Sequence, residues 1–290
     1  MKKLDLLIFL LTSGAAICAA QTPETIFRAD SRLVEVYATV MDHKGRYIDG
    51  IPQTSFNITD NGEPQRLVSF ESNASEFSCA ILLDTTGSMT KTLPMVRNAI
   101  LRLLDEFRDG DWVAVYGFSA GVELLQDFTL DKAAAKQVVL RTRAGGMTAL
   151  YDAISRVAGD VARRNGKKSV VVFTDGDDNA SYLNLLRVVE RAKKLGVPIY
   201  TVAQGEALQS PKLLEGLKEI GRSTGAKSYV AKKPEAIGEV FKDISQDLQH
   251  TYVLSYRAPE IHDDNWRQIQ LSINGLKNYE VRAKQGYFPN

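Results

Sequence analysis

The sequence has 290 residues, of which 44% are apolar and 24% are charged, which is typical of a globular protein with one large or two moderate cores. Its 36 Lys and Arg residues nearly balance its 35 Asp and Glu residues, leaving a formal net charge of +1. This balance argues against nucleic acid as a partner and against electrostatic attachment to an anionic membrane.

The N-terminus has the pattern of a secretory signal peptide. Two lysines precede the apolar run Leu6–Leu11, and small residues lead up to Ala20. We predict that residues 1–20 are cleaved after Ala20 and that the protein is secreted or periplasmic. The apolar stretch is short for a membrane span, so membrane attachment would require an uncleaved segment. Loss of Cys18 would leave Cys79 alone, and we expect it to be a buried thiol without a disulfide.

Both ends of the remaining chain have strand-like patterns. Apolar and polar residues alternate from Val34 to Val40, which is the period of a half-buried strand. Ser55–Thr59 is a second candidate strand, and the turn signal Asp60-Asn61-Gly62 predicts a hairpin in which Arg66–Phe70 is the return strand. The other candidate strands are Thr251–Arg257, Arg267–Ile273 and Tyr279–Lys284. We predict that residues 21–75 and 251–290 form one discontinuous, β-sandwich-like domain, into which residues 76–250 are inserted.

The middle of the chain alternates between segments with the periodicity of a helix and segments with the periodicity of a strand. Predicted helices are Leu93–Arg108, Lys132–Leu140, Ala149–Arg164, Leu183–Leu195, Pro211–Ser223 and Pro234–Gln249. Predicted strands are Cys79–Leu83, Trp112–Phe118, Val122–Gln126, Ser169–Thr174, Pro198–Ala203 and Lys227–Ala231. This alternation predicts an α/β fold with a doubly wound, mostly parallel sheet covered on both faces. The turn before Val122 is too short for a helical crossover, so we predict an antiparallel edge strand there.

Oxygen-bearing side chains cluster in the turns between predicted strands and the helices that follow them. Asp84, Thr86 and Ser88 follow one strand, Thr148 opens a helix, and Asp175 ends another strand. If these turns share the carboxyl edge of one sheet, their oxygens can converge. Hard oxygen donors without His or Cys favour Mg²⁺ or Mn²⁺ over zinc. Because most of these donors are neutral, the cation would retain an affinity for an external carboxylate.

The series Asp84-x-Thr86-x-Ser88, Thr148 and Asp175 resembles the metal-ion-dependent adhesion site of von Willebrand factor type A (VWFA) domains, which have a Rossmann-like fold. That family usually has Ser where Thr86 stands, and the exchange keeps the hydroxyl. The resemblance extends from about Phe77 to Gln249. The flanking segments Asp42–Arg46, Phe56–Gly62 and Tyr252–Tyr256 resemble the secreted, acidobacterial VWFA-related proteins.

The resemblance implies a role for each residue of the series. Thr86 and Ser88 would coordinate the metal directly, Asp84 and Asp175 directly or through water, and Thr148 according to the conformational state. The metal would be Mg²⁺, with Mn²⁺ or Ca²⁺ as alternatives, and an Asp or Glu of a protein partner would complete its shell. This is adhesion-type protein binding without catalysis. In the family, ligand binding can couple to movement of the last helix.

Other interpretations apply to these residues taken singly. Asp, Ser and Thr at strand ends commonly form turns or N-caps, and Thr148 could cap the helix that follows it. Asp177 and Asp178 are typical of solvated turns. A structural envelope scaffold without a used metal site is a further alternative, and the sequence specifies neither the ligand nor the oligomeric state.

An enzyme is the least favoured alternative. Gly117–Gly121 matches the Gly-x-Ser-x-Gly pattern of a nucleophile elbow, in which Ser119 would be the nucleophile of a hydrolase. That motif requires a helix immediately after the serine, whereas the run from Val122 predicts a strand. We therefore interpret Gly117–Gly121 as a tight turn and predict that the protein is not an enzyme.

Overall fold

A computed structural model of the protein describes residues 33–259 and 265–289. The predicted signal peptide and Cys18 lie outside these residues. The strands of the described part are β1 Leu33–Asp42, β2 Phe56–Asp60, β3 Glu63–Gln65, β4 Leu67–Glu71, β5 Phe77–Asp84, β6 Trp112–Phe118, β7 Val122–Thr129, β8 Lys167–Thr174, β9 Ile199–Ala203, β10 Ser228–Val230, β11 Tyr252–Arg257, β12 Arg267–Ile273, β13 Tyr279–Ala283 and β14 Gly286–Tyr287. The helices are α1 Leu93–Asp105, α2 Lys132–Arg141, α3 Leu150–Ala162, α4 Leu185–Leu195, α5 Pro211–Thr224 and α6 Ile237–Gln249.

A six-stranded sheet with the order β10-β9-β8-β5-β6-β7 lies at the centre of the middle region. β5 pairs in parallel with both β6 and β8, and all eight of its residues are buried. β7 is antiparallel to β6 and lies at the edge, which confirms the prediction for this strand. The carboxyl ends of β5 and β8 are therefore neighbours on one edge of the sheet.

Helices cover both faces of this sheet. Cys79, Ile81 and Leu83 of β5 pack into one core with α1, α2 and α6, whereas Ala80 and Leu82 pack into a second core with α3, α4 and α5. This alternation follows from the two-residue period of a strand. The doubly wound α/β fold is thus confirmed. Among the described residues, no helix has the length and apolar character needed to cross a membrane.

The strands from the two ends of the chain pair with one another. One sheet has the order β13-β1-β11-β4, and a second has the order β14-β12-β2-β3. Their facing side chains form two further apolar clusters, in which the ring of Phe56 lies 5.2 Å from that of Tyr252. This is the sandwich-like arrangement that was expected. All described residues fall within one compact unit, Ser31–Asn290, so the domain boundaries at residues 75 and 250 stay a prediction.

The hairpin at Asp60-Asn61-Gly62 differs from the prediction in its return strand. Asn61 and Gly62 have positive φ angles of 50° and 87°, as the two-residue turn requires. The strand that pairs with β2 is β3, whereas β4 pairs with β11 in the other sheet. The prediction of Arg66–Phe70 as the return strand was wrong, because the chain passes from one sheet to the other at Arg66.

Cys79 lies in the middle of the central sheet. It is a free cysteine with no exposed surface, as the sequence predicted. Burial raises the pKa of its thiol to about 12. The thiol is therefore a packed, unreactive group.

Candidate metal site

Three segments meet at the carboxyl edge of the central sheet. Asp84 ends β5 and Asp175 directly follows β8, so the pairing of Leu83 with Phe173 makes the two carboxylates neighbours. The loop before α3 is joined to the turn after β5, because Gly145 N donates to the carbonyl oxygen of Thr85 at 2.8 Å. The three turns that the sequence singled out therefore lie side by side.

Two hydroxyls lie between the two carboxylates, and each donates its proton to one of them. The Oδ1 atom of Asp84 accepts from the backbone N of Thr86 at 2.9 Å and from its Oγ1 at 2.6 Å. Thr86 Oγ1 lies 2.9 Å from Ser88 Oγ, which donates to Asp175 Oδ1 at 2.6 Å. Four of the five predicted residues thus form one oxygen cluster.

Thr148 is the fifth predicted residue, and it does not cap the helix that follows. The N-cap of α3 is Ala149, which forms no side-chain cap. The backbone N of Thr148 donates instead to Asn179 Oδ1 at 2.9 Å, which joins the α3 loop to the loop after β8. A Cβ atom at Gly176 would lie 3.3 Å from Ser88 Oγ and 3.7 Å from Thr148 Oγ1, so the backbone passes close to both hydroxyls there. The Thr148 hydroxyl is therefore near the cluster and is not used as a helix cap.

Two further threonines, which sequence reasoning missed, hold the outer oxygens of the carboxylates. Thr174 Oγ1 donates to Asp84 Oδ2 at 2.7 Å, and Thr92 Oγ1 donates to Asp175 Oδ2 at 3.1 Å. Thr174 directly precedes Asp175 at the end of a buried strand, which is a signal that could have identified it. Thr92 lies in the turn before α1, and no local pattern relates it to the site.

The electrostatics of the cluster favour a cation. Asp84 is 0% exposed and Asp175 is 2% exposed, and burial raises the pKa of both carboxyls. Within residues 33–259 and 265–289, neither carboxylate forms an ion pair with Lys, Arg or His. Buried charges are normally paired or bound to a metal. A hard cation therefore fits this donor set, which combines two carboxylates with three hydroxyls.

The same region of the chain contains no group of three or more His, Cys, Asp or Glu residues that could hold a metal ion. The candidate site differs from such groups because most of its donors are hydroxyls.

Asp177 and Asp178 have separate roles in the neighbouring loop. Asp177 Oδ2 accepts from Ser210 Oγ at 2.8 Å, and Asp178 Oδ1 accepts from Ser181 Oγ at 2.6 Å.

Ser119 lies in the tight turn that joins β6 to β7. Its backbone N donates to the carbonyl oxygen of Gly121 at 2.9 Å, and a strand rather than a helix follows. The strand-turn-helix geometry of a nucleophile elbow is absent at this serine. The carbonyl oxygen of Ser119 accepts from Ala149 N at 2.8 Å, so the turn supports the α3 loop.

The fold has relatives among solved structures. A von Willebrand factor type A protein from Catenulispora acidiphila matches 90% of this chain and 75% of its own, with a TM-score of 0.55 and 14% identity. Proximal thread matrix protein 1 from the mussel byssus, solved with a zinc-occupied MIDAS motif, matches 65% of this chain and 49% of its own, with a TM-score of 0.54 and 19% identity. The von Willebrand factor domain of the type V pili tip protein Mfa5 from Porphyromonas gingivalis matches 65% of this chain and 99% of its own, with a TM-score of 0.51 and 12% identity. At these identities the matches establish a shared fold.

A curated sequence relative is translation machinery-associated protein 22 from Aspergillus clavatus. It is 26% identical over 117 residues, which are 40% of this chain and 58% of that protein. The match thus spans less than two thirds of the fungal protein. It supports no statement about the fold or function of this chain.

The doubly wound sheet and the oxygen cluster at its carboxyl edge define an α/β module with a candidate cation site. The family model of the von Willebrand factor type A domain matches residues 79–243, more than half of the chain. The chain belongs to the von Willebrand factor type A domain family. Members of this family are commonly metal-dependent adhesion or protein-binding modules, and typically they are not enzymes.

Proposed function

We propose that this protein is a secreted or periplasmic protein-binding module whose ligand is held through a divalent cation. Asp84, Thr86, Ser88, Thr148 and Asp175 hold the cation, and an Asp or Glu of a protein partner completes its shell. The signal-like residues 1–20 support the location outside the cytoplasm.

The observation that supports this function best is the pair of buried carboxylates, which have no cationic side chain as partner among residues 33–259 and 265–289. Asp84 and Asp175 are joined through two hydroxyls at separations of 2.6 to 2.9 Å, and burial raises the pKa of both. Desolvation of two negative groups disfavours the folded state unless a positive charge compensates for it. A bound divalent ion supplies that charge.

The donor chemistry favours Mg²⁺, with Mn²⁺ or Ca²⁺ as alternatives. All five side chains offer oxygen, and His and Cys are absent from the set. The two carboxylates also accept hydrogen bonds from Thr86, Thr174 and Ser88, which weakens them as electron donors to a bound dication. The bound metal would provide a Lewis-acidic position for an external carboxylate, which is a binding function without turnover.

Thermal and chemical unfolding with added Mg²⁺ tests the metal site. For the wild type, Mg²⁺ at one hundred times its Kd should stabilise the folded state by about 2.7 kcal/mol. Asp84→Asn should abolish this gain. In the presence of chelator the same variant should unfold at or above the wild-type midpoint, because it removes a buried charge while Thr86 keeps its acceptor.

Asp177→Asn is the matched control. Asp177 lies on the same sheet edge but outside the cluster, and its partner is Ser210. The control should keep the wild-type response to Mg²⁺. The metal proposal fails if the wild type gains no stability from Mg²⁺ or Mn²⁺, or if Asp84→Asn gains as much as the wild type. Capture of a partner from envelope extract with Mg²⁺, and its loss with chelator, tests the binding function.

A further inference from the structure

Two large side chains with apolar surface are left in solvent on the loops that meet at Thr148. Met147 directly precedes Thr148 and is 57% exposed, and Tyr182 in the loop after β8 is 100% exposed. Most large apolar side chains of the central sheet and its helices are buried. Exposed aromatic side chains beside a binding site are typical of interaction surfaces.

The backbone that carries Tyr182 is held in place by hydrogen bonds. Tyr182 N and Leu183 N both donate to the carboxylate of Asp152, at 2.9 and 3.0 Å. The preceding Ser181 donates from Oγ to Asp178 Oδ1 at 2.6 Å and accepts from Asp152 N at 3.1 Å. The ring is thus presented on a fixed loop, which lowers the entropic cost of binding a partner there.

The hydrogen bond between the loop and Thr148 sets an upper limit on how far Tyr182 lies along the chain from the site. Asn179 Oδ1 accepts from Thr148 N at 2.9 Å, so this part of the loop touches the site. Three residue steps separate Asn179 from Tyr182, which is at most about 11 Å of chain. An extended ligand advances by about 3.3 Å per residue, so two or three residues cover about 7 to 10 Å.

We propose that Met147 and Tyr182 form an apolar rim that selects the partner of the metal site. The rim binds an aromatic or large aliphatic side chain placed two or three residues from the metal-binding Asp or Glu, in an extended segment of the partner protein. This inference rests on the proposed function, because the position of the apolar side chain in the partner is counted from the carboxylate bound at the metal.

Two exposed carboxylates on neighbouring loops disfavour a partner segment with several acids. Asp177 and Glu206 are exposed on the loops after β8 and β9, and the charge of Glu206 acts on the Asp175 carboxyl. A segment with several acids would be repelled by these carboxylates. A single acid accompanied by an apolar side chain satisfies both the cation and the rim.

Labelled Gly-Ser peptides with one central Asp provide the probe. In one series Phe stands one, two, three or four positions from the Asp on either side, and in the reference peptide it is absent. With Mg²⁺, fluorescence anisotropy should show about tenfold tighter binding than for the reference peptide when Phe stands two or three positions from the Asp. This gain is expected for burial of an aromatic side chain. Tyr182→Ser and Met147→Ser should remove this gain and leave binding of the reference peptide unchanged. Val68→Ser is the matched control, since Val68 is 47% exposed on β4, in a different sheet.

The possible results separate the rim from the metal site. If Phe improves binding equally in the wild type and in both rim variants, or at no position, the rim proposal is overturned while the metal-held carboxylate stands. If Mg²⁺ stabilises the protein but no peptide binds, both the rim and the carboxylate partner are wrong. If Mg²⁺ has no effect on unfolding, the proposed function itself fails, and the rim fails with it.

Discussion

The buried aspartates at the carboxyl edge of the central sheet and in α6 differ in how their negative charge is balanced. Asp84 and Asp175 at the carboxyl edge of the central sheet are surrounded by hydroxyls. Asp247 in the last turn of α6 is 0% exposed as well, but two cationic side chains contact it. The same residue type at the same burial therefore has different consequences at the two places.

The Asp247 cluster is saturated by partners from the protein itself. Arg282 Nη2 lies 2.6 Å from Oδ2 of the carboxylate, Lys227 Nζ lies 3.1 Å from Oδ1, and the Tyr200 and Tyr47 hydroxyls donate at 2.6 and 3.1 Å. Burial alone would raise the pKa of Asp247, yet Arg282 and Lys227 bring it below its usual value.

These partners come from separate parts of the fold. Arg282 belongs to β13 of the N- and C-terminal sheets, Tyr200 belongs to β9 of the central sheet, and Asp247 belongs to α6. The cluster thus fastens the last helix to both sheets without help from solution. A buried carboxylate that is balanced internally joins elements, whereas one that lacks a protein cation makes stability depend on an ion from solution.

Breaking the balanced cluster should have the largest effect. Arg282→Met keeps much of the side-chain volume. It leaves Asp247 buried with Lys227 as its remaining cationic partner. Removing one partner of a buried pair costs about 3 to 5 kcal/mol of folding free energy. Chemical denaturation should show a loss of this size, with and without Mg²⁺.

Arg222→Met is the control for that substitution. Arg222 pairs with Glu219 on the surface of α5, where its side chain is 66% exposed. The control should change the unfolding free energy by less than about 1 kcal/mol. Equal losses in the two variants would mean that burial does not distinguish the pairs, and a loss confined to Mg²⁺-containing buffer would contradict the internal balance of the Asp247 cluster.

Lys167 extends the comparison to a buried cation. It opens β8, the strand that ends next to Asp175, and it is 3% exposed. Its Nζ donates to the carbonyl oxygen of Asn73 at 3.3 Å but forms no ion pair within the described residues. Burial, with a smaller contribution from the charge of Arg108, lowers the pKa of this lysine from 10.5 to about 7.

The lowered pKa predicts a pH-dependent stability. Between pH 7 and 10.5 the unfolded chain binds a proton at Lys167 that the folded chain has released, so the unfolding free energy rises with pH in this window. From pH 7 to pH 9 the wild type should gain about 2 kcal/mol relative to Lys167→Met. Urea denaturation across this range measures the difference, and Lys218→Met, whose side chain is 67% exposed, should keep the wild-type slope. Parallel curves for the wild type and Lys167→Met would show that the lysine stays protonated in the fold.

Much of this arrangement could be predicted from the sequence, because it is encoded locally. The apolar run ending at Asp84 and the strand-helix alternation specify a parallel sheet, and the carboxyl edge of such a sheet brings its turns together. The balanced cluster escaped prediction for the opposite reason. Asp247 and Arg282 are ordinary polar residues in their own segments, and only the packing of α6 against β13 makes them partners. The passage of the chain between two sheets at Arg66 was missed for a similar reason, since strand signals do not specify which sheet a strand joins.

The smallest expected effect concerns Thr174, the residue that holds the outer oxygen of Asp84. Thr174→Val is nearly isosteric and removes the hydroxyl that donates to Asp84 Oδ2 at 2.7 Å, leaving this carboxylate freer to rotate. Loss of such an outer-shell partner should weaken Mg²⁺ binding by about tenfold, which calorimetric titration can measure. Thr201→Val is the matched control, because Thr201 is equally buried on the neighbouring β9 but its hydroxyl is directed to Ser228 at 2.8 Å. The control should lose stability through its broken hydrogen bond and keep its Mg²⁺ affinity. If both variants bind Mg²⁺ as the wild type does, the orientation of Asp84 is fixed by Thr86 alone, and the metal site depends less on the end of β8 than the Thr174–Asp84 hydrogen bond indicates.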